Sequence, residues 1–202
     1  MEGLTKPGVY VLGMHRSGTS VAAGLLDRLG LDPGPRASML SPDEFNSDGY
    51  WEQRPIVEWH DSILARLGGF ASAPPPAPIE LVAPELAADA TAMVDRLYRS
   101  TWFMKDPRQC LLLGLWSQLR GSSELAVVVS RDPTQVIRSL QRRNAYSPAL
   151  AAALWERYSA DLLAGLAGRP CLFLRYEQLT AQPGPAVASL VEALDRHGGG
   201  SV

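Results

Sequence analysis

Apolar positions along this chain follow two alternating rhythms. Short unbroken apolar runs occur at Val9–Leu12, Trp102–Met104, Leu125–Val129 and Cys171–Leu174. Runs of that length without polar alternation read as strands buried on both faces. Between them, apolar residues recur at the three-to-four spacing of helices. That spacing predicts helices over about Gly18–Leu29, from Pro55 to Gly68, and over Pro84–Arg99, Arg108–Leu119, Pro133–Arg143, Pro148–Leu166 and Pro185–Asp195. The first helix is expected to turn Val21, Leu25, Leu26 and Leu29 inward; the second, Ile56, Trp59, Ile63, Leu64 and Leu67. Strands alternating with helices predict an α/β fold of three layers, α/β/α, around a central parallel sheet. Leu31–Gly49 is rich in Pro, Ser and Asp and reads as loop. Residues 71–84 hold the PPPAP run and read as an extended connection within one domain spanning 1–202. The Gly-rich end, 197–202, is expected to fray.

The strand ends add chemistry to this pattern. The four runs lead to VLGMHR, FMKDPR, VVSRDP and LFLRYEQ. In a parallel sheet the ligand crevice lies beyond the carboxyl ends of the strands. Arg16, Lys105, Arg131 and Arg175 are therefore expected near one sheet edge. Asp106-Pro107 and Asp132-Pro133 each fit an N-cap followed by proline at the first helical position. Each would set the positive end of a helix beside a cation, as a site for a multiply charged anion requires.

The first loop, Gly13-Met-His-Arg-Ser-Gly-Thr-Ser20, has its glycines spaced as in a Walker A, or P-loop, nucleotide-binding loop. Thr19 stands where that loop carries lysine, and the cation has moved to Arg16. The loop offers consecutive amides at a helix start and hydroxyls at Ser17, Thr19 and Ser20. A kinase built on the same architecture would need the missing lysine and a metal-binding aspartate at a strand end. LAVVVS leads to Arg131 instead.

These residues together resemble the sulfotransferases that use 3′-phosphoadenosine 5′-phosphosulfate (PAPS), on a P-loop NTPase-like fold. Arg16-Ser17-Gly18-Thr19-Ser20 is similar to the family's (K/R)-S-G-T-(S/T) loop. Arg131 and Ser139, eight positions apart, match its arginine and serine on the donor's 3′-phosphate. On the predicted helix, Ser139 shares a polar face with Gln135, Arg142 and Arg143. Lys105-Asp106-Pro107 and Arg175-Tyr176-Glu177-Gln178-Leu179 resemble segments of the protein-tyrosine and carbohydrate members. The resemblance implies a nucleotide site of His15, Arg16, Ser17, Gly18, Thr19, Ser20, Arg131, Ser139 and Tyr176. His15 would support the loop, and Lys105 would stabilise the sulfuryl group. It implies a PAPS co-substrate, PAP as product, and no metal. The chain departs from many relatives at Val21, where they carry an aromatic. It also has no R-K-G-x-x-G loop, and Gly198–Val202 stands at its end; a thinner nucleotide grip is expected, or one supplied otherwise, or one belonging to a segment outside this sequence.

Such a transfer needs Arg16 and Lys105 at the reacting group and a base for the acceptor's proton. Glu52, beside Tyr50 and Trp51, is one candidate; His60 with Asp61 is the other. Glu52 would also suit the first turn of the helix that follows. A small-molecule or carbohydrate acceptor is expected, and a non-catalytic nucleotide binder remains the alternative beside the kinase.

Composition restricts partners rather than chemistry. The 202 residues carry a formal charge of -2, which argues against broad binding to nucleic acid or an anionic membrane. No apolar run is long enough to span a bilayer, and the N-terminal residues lack a signal-peptide pattern, so a cytoplasmic location is expected. Cys110 and Cys171 sit in apolar runs and read as two buried thiols.

Overall fold

The computed structural model describes residues 8–46, 49–76 and 84–198. The N-terminal residues 1–7, residues 77–83 of the proline-rich connection, and 199–202 of the tail lie outside the described residues.

Four strands form one parallel sheet in the order β2-β1-β3-β4. They are β1 (Gly8–Leu12), β2 (Trp102–Lys105), β3 (Leu125–Ser130) and β4 (Cys171–Arg175). Side chains alternate between faces along each strand. Tyr10 and Leu12 of β1 face one core with Trp102, Met104, Ala126 and Val128. Val9 and Val11 face the other with Phe103, Leu125, Val127 and Val129. Apolar demand on both faces explains why these strands carry no polar alternation.

Helices cover both faces and complete three layers. α1 (Thr19–Arg28), α7 (Tyr176–Ala181) and α8 (Pro183–Gly198) cover the Val9 face. α2 (Arg54–Arg66), α3 (Pro84–Leu97), α4 (Gln109–Arg120), α5 (Pro133–Asn144) and α6 (Pro148–Gly165) cover the Tyr10 face. Asp132 caps α5 by accepting from the Gln135 amide at 3.1 Å, with Pro133 in the first turn. Ser147-Pro148 repeats the device on α6, at 3.2 Å to the Leu150 amide. Such caps contribute about 1 kcal/mol each.

Several expectations change. α1 buries Thr19, Ala22, Ala23 and Leu26, while Val21 is 39% exposed; small residues let the helix lie close to the sheet. α4 begins at Gln109 with no side-chain cap. Asp106 precedes it and accepts from the Arg108 amide at 3.0 Å, so it shapes a turn rather than capping the helix. Cys110 is buried but Cys171 is exposed, because β4 is an edge strand with one fully buried residue. Both thiols are free. β2 is also at an edge, yet an extended residue covers it: Asp32 donates to the Thr101 carbonyl and accepts from the Phe103 amide.

The direction in which strands are added to the sheet reverses at β1. β2 lies on one side of it, β3 and β4 on the other. The crevice beyond β1 and β3 is thus the switch point at which doubly wound sheets bind ligands. Among the described residues no helix is long and apolar enough to cross a membrane.

Candidate active site

Beyond β1 the chain makes the tight loop that its glycines allow. Gly13 has φ 154°, and a Cβ there would lie 2.5 Å from the Val129 carbonyl oxygen. Only glycine lets the loop approach β3 that closely. Its amide donates to the buried Cys110 sulfur at 3.2 Å. Gly18 has φ 91°, and a Cβ there would run into the Tyr176 ring. Arg16 adopts φ 72° without being glycine, a costly conformation that aims its side chain across the loop. The Ser17 amide is spent on the Met14 carbonyl at 3.1 Å. The start of α1 has no side-chain cap and no acidic residue in its first turn. The first amides of a helix lack intrahelical acceptors, so this end stays open to an anion.

Arg16 and Arg131 lock the loop to the other strand ends. Arg16 donates through Nε to Ser139 Oγ at 2.9 Å and through both terminal nitrogens to the Phe45 carbonyl at 3.2 Å. Arg131 donates to the Arg16 carbonyl at 3.1 Å and lies over the Tyr176 ring at 4.3 Å. Its other nitrogens hold Gln135 Oε1. Asn46 donates to Ser20 Oγ at 3.1 Å and to the Gly49 carbonyl at 2.6 Å, so the stretch before Glu52 walls the loop.

Lys105, at the end of β2, meets Glu52 at 2.7 Å, both side chains being almost wholly buried. The backbone before Glu52 is bent by Trp51, at φ 62°. Trp51 packs beside Phe103 and under Arg36, while Glu52 turns to the opposite side. The next residue, Gln53, is a buried clip, donating to the Pro33 carbonyl at 2.7 Å and accepting from Ser38. Burial raises the Glu52 pKa above the ordinary carboxyl value, although Lys105 opposes the rise. Tyr50 is pushed up to about 12 by burial and by a hydrogen bond to Asp43, so it keeps its proton. Its hydroxyl accepts from Arg143 at 2.8 Å.

His60 is placed otherwise than a base requires. It is fully buried, with Nδ1 2.8 Å from Asp106 and Nε2 2.8 Å from the Trp116 indole nitrogen. Indole N–H only donates, so Nε2 accepts and the ring proton sits on Nδ1 facing Asp106. Both nitrogens are committed, so His60 turns no proton acceptor to the crevice. Burial disfavours charge on Asp106, but His60 and Arg108 outweigh it and hold its pKa well below the usual range. Arg108 spans Asp106 at 2.9 Å, Asp61 at 2.6 Å and, more distantly, Glu52 at 3.9 Å. Asp61 therefore pairs with an arginine rather than with His60. His15, edge-on to Tyr158 at 5.6 Å, has its pKa pushed down to about 3 by desolvation and by Arg108. It is neutral at pH 7.

Two adjoining cavities open here. The smaller, about 150 Å³, is bounded by the loop and Tyr176. Arg16, Lys105, Arg131 and Arg143 line it against one carboxylate, Glu52. The larger, about 590 Å³, runs beneath the hairpin at Phe70–Ala73. His15, Tyr50, Glu52 and Arg143 line both.

Of the residues singled out from the sequence, His15, Arg16, Gly18, Thr19, Ser20, Glu52, Lys105, Arg131 and Tyr176 thus converge on one cavity. Ser17, Ser139 and His60 are buried behind it. Arg175 was expected at the crevice but is exposed beside Glu177, because the edge strand carries it outside. The 31–49 loop supplies walls through Phe45 and Asn46; sequence reading missed Arg108 as the link between carboxylates. Arg143 had been noted only as a neighbour of Ser139.

No family model matches the chain, and no curated protein matches it in sequence. Among solved structures it resembles a sulfotransferase domain from the curacin biosynthetic pathway, with a TM-score of 0.55 and 15% identity. The likeness covers 94% of this chain and 74% of that one. The chain therefore has the α/β fold of that domain, a parallel sheet between helical layers.

Proposed function

We propose that the protein is a PAPS-dependent sulfotransferase acting on a hydroxyl (or amine) of a small acceptor. The observation that carries this reading is the cationic cavity with four basic side chains against one carboxylate, sharing Glu52 with a second, larger cavity. A phosphosulfate needs the first arrangement, and a proton-bearing acceptor needs the second. The likeness to a sulfotransferase domain supports the same class.

The residues fit the donor. The open amides of α1 and Arg16 suit the 5′-phosphate, since arginine recognises phosphate through several nitrogens. Arg131 suits a second phosphate, and Ser139 stands behind Arg16. Tyr176, held under Arg131, offers a ring face to the nucleotide. Glu52 accepts the proton of the acceptor hydroxyl. The acceptor oxygen then bonds to sulfur as the bond from sulfur to the bridging phosphate oxygen breaks. That electron pair leaves on the phosphate, and Arg16 and Lys105 stabilise the growing charge. The products are a sulfate ester and PAP.

Lys105 and Glu52 form an ion pair in the free site. As Lys105 turns toward the leaving oxygen, Glu52 is released to take the proton. Titration calorimetry with PAP tests the donor site, and transfer of radiolabel from PAPS to an acceptor panel tests the reaction. Micromolar or tighter PAP binding with magnesium-independent labelling is expected; no PAP binding would sink the reading.

A further inference from the structure

The larger cavity has a chemistry of its own. Its far wall is apolar: Met14, Leu140 and Leu154 are buried there, and Tyr146 closes one side. Phe70 lines the cavity at the hairpin and is 60% exposed. A single exposed aromatic is ordinary at a protein surface, so it counts toward a binding wall only where it lines a cavity and its backbone is fixed. Here it is fixed. Phe70 and Ala73 exchange both backbone hydrogen bonds, at 3.0 and 2.9 Å. The buried Tyr158 hydroxyl donates to the Ala71 carbonyl at 2.9 Å. Gly69 has no room for a Cβ, which would lie 2.5 Å from Pro75.

The charged residues of this cavity cancel. Arg108 and Arg143 face Glu52 and Asp61 within it, and His15 is neutral. Arg108 is further tied to the buried Asp106, and Arg143 stands 3.8 Å from Asp43. Among the described residues lining it, Arg108 is thus held by two carboxylates, and Arg143, which also faces the smaller cavity, is held by the Tyr50 hydroxyl at 2.8 Å as well as by Asp43. The volume of about 590 Å³ is that of a drug-sized ligand.

We infer that the acceptor is an uncharged, lipophilic small molecule carrying one nucleophilic hydroxyl, such as a phenol or a hydrophobic alcohol, and not an acidic polysaccharide or acidic peptide. The inference rests on the sulfotransferase reading. The hydroxyl lies at Glu52 and the apolar body extends beneath Phe70. Its O–H proton passes to Glu52, its oxygen gains the sulfuryl group, and PAP departs with the electrons of the broken bond.

The test uses the full chain, with PAP calorimetry run beside the transfer assay. Radiolabelled PAPS is offered with 1-naphthol, a long-chain alcohol, maltose and a heparin hexasaccharide. Label is expected on naphthol or the alcohol, and on neither sugar. Phe70→Ala, at an exposed site that folding does not depend on, is expected to raise the acceptor KM about tenfold, equal to about 1.4 kcal/mol. PAP affinity should not change. Ala65→Arg, on the exposed side of α2 at the same cavity, should do likewise. PAP binding with label on the hexasaccharide or maltose, or on nothing offered, overturns the inference and leaves the donor site standing. So does an unchanged acceptor KM in both variants. Absence of PAP binding instead overturns the sulfotransferase reading from which the inference starts.

Discussion

The two cavities differ in how they are built. The smaller cavity, the proposed donor site, gathers a loop fixed by two glycines, a helix start and three strand ends, with four cations among its lining side chains. The larger cavity is made of side chains from α2, α5, α6 and a hairpin, brought together only by the fold. The first has excess positive charge and the second has none. A donor with fixed phosphates rewards a fixed anion cradle, whereas an acceptor pocket can vary with the side chains that line it. The shared wall at Glu52, with Lys105 paired to it from the smaller cavity, is where the two must cooperate. Substitutions there should affect the reaction most, and substitutions on either side should separate into donor and acceptor effects.

Glu52→Gln should have the largest effect. The amide cannot take the acceptor proton, and kcat should fall by roughly 10²–10⁴. PAP affinity should hold in calorimetry, since Arg16 and Arg131 are untouched. Full turnover in this variant would remove Glu52 from the role. The wild-type rate should rise with pH as Glu52 loses its proton, with a midpoint above the ordinary carboxyl value. Stability should run the other way. A folded pKa above the unfolded one means that the folded state holds more protons in that window, so stability falls as pH rises through it. Chemical denaturation of wild type and Glu52→Gln across that window should show the slope in the first and lose it in the second.

Lys105→Ala comes next. Removing one cation that acts on charge developing in the reaction costs roughly 10²–10³ in rate. Glu52 would then be buried without its partner, and its pKa should climb further, shifting the pH–rate midpoint upward. A loss of rate with no shift would mean that the pair at 2.7 Å does not govern the base.

On the donor side, Arg131→Ala should weaken PAP binding about tenfold or more, because a charged hydrogen bond contributes roughly 1.5–3 kcal/mol. Ser139→Ala should weaken it less, since Ser139 acts through Arg16 Nε rather than on the cavity. Acceptor KM should stay constant in both. If it moved together with PAP affinity, the two cavities would be one site and the contrast would fail.

That contrast also explains what could be read from the chain in advance. β1, β2 and β3 were legible because each is a continuous apolar run closed on both faces, and β4 because its run is equally apolar although only Leu174 is buried. The donor loop was legible because φ-positive glycines and Arg16 leave a local signature. Lys105 and Arg131 were legible because a strand end fixes them. His60 misled because its partners, Asp106 and Trp116, lie 46 and 56 residues away. Nothing near it in the sequence says that both nitrogens are used. Arg108 and the hairpin at Phe70 were obscure for the same reason: their contacts cross between elements. Cys171 looked like a core residue because an edge strand and a central strand share composition.

Salt should separate the two cavities by the smallest but cleanest margin. The donor site sets four cations against one carboxylate, so PAP binding gains from long-range attraction. Raising ionic strength shortens the screening length from about 10 Å at 0.1 M to about 3 Å at 1 M. PAP affinity should therefore weaken several-fold over that range, the loss limited because the Lys105 and Arg16 contacts are partly buried. In the larger cavity Arg108 is paired with Asp61 and Asp106 and Arg143 with Asp43 and the Tyr50 hydroxyl, and a neutral acceptor brings no charge to it. Its KM should change less than about twofold, with apolar burial if anything strengthened by salting-out ions. An acceptor KM that rises with salt as steeply as the PAP Kd would mean that the acceptor is itself an anion, and that charge rather than apolar surface brings it to Glu52.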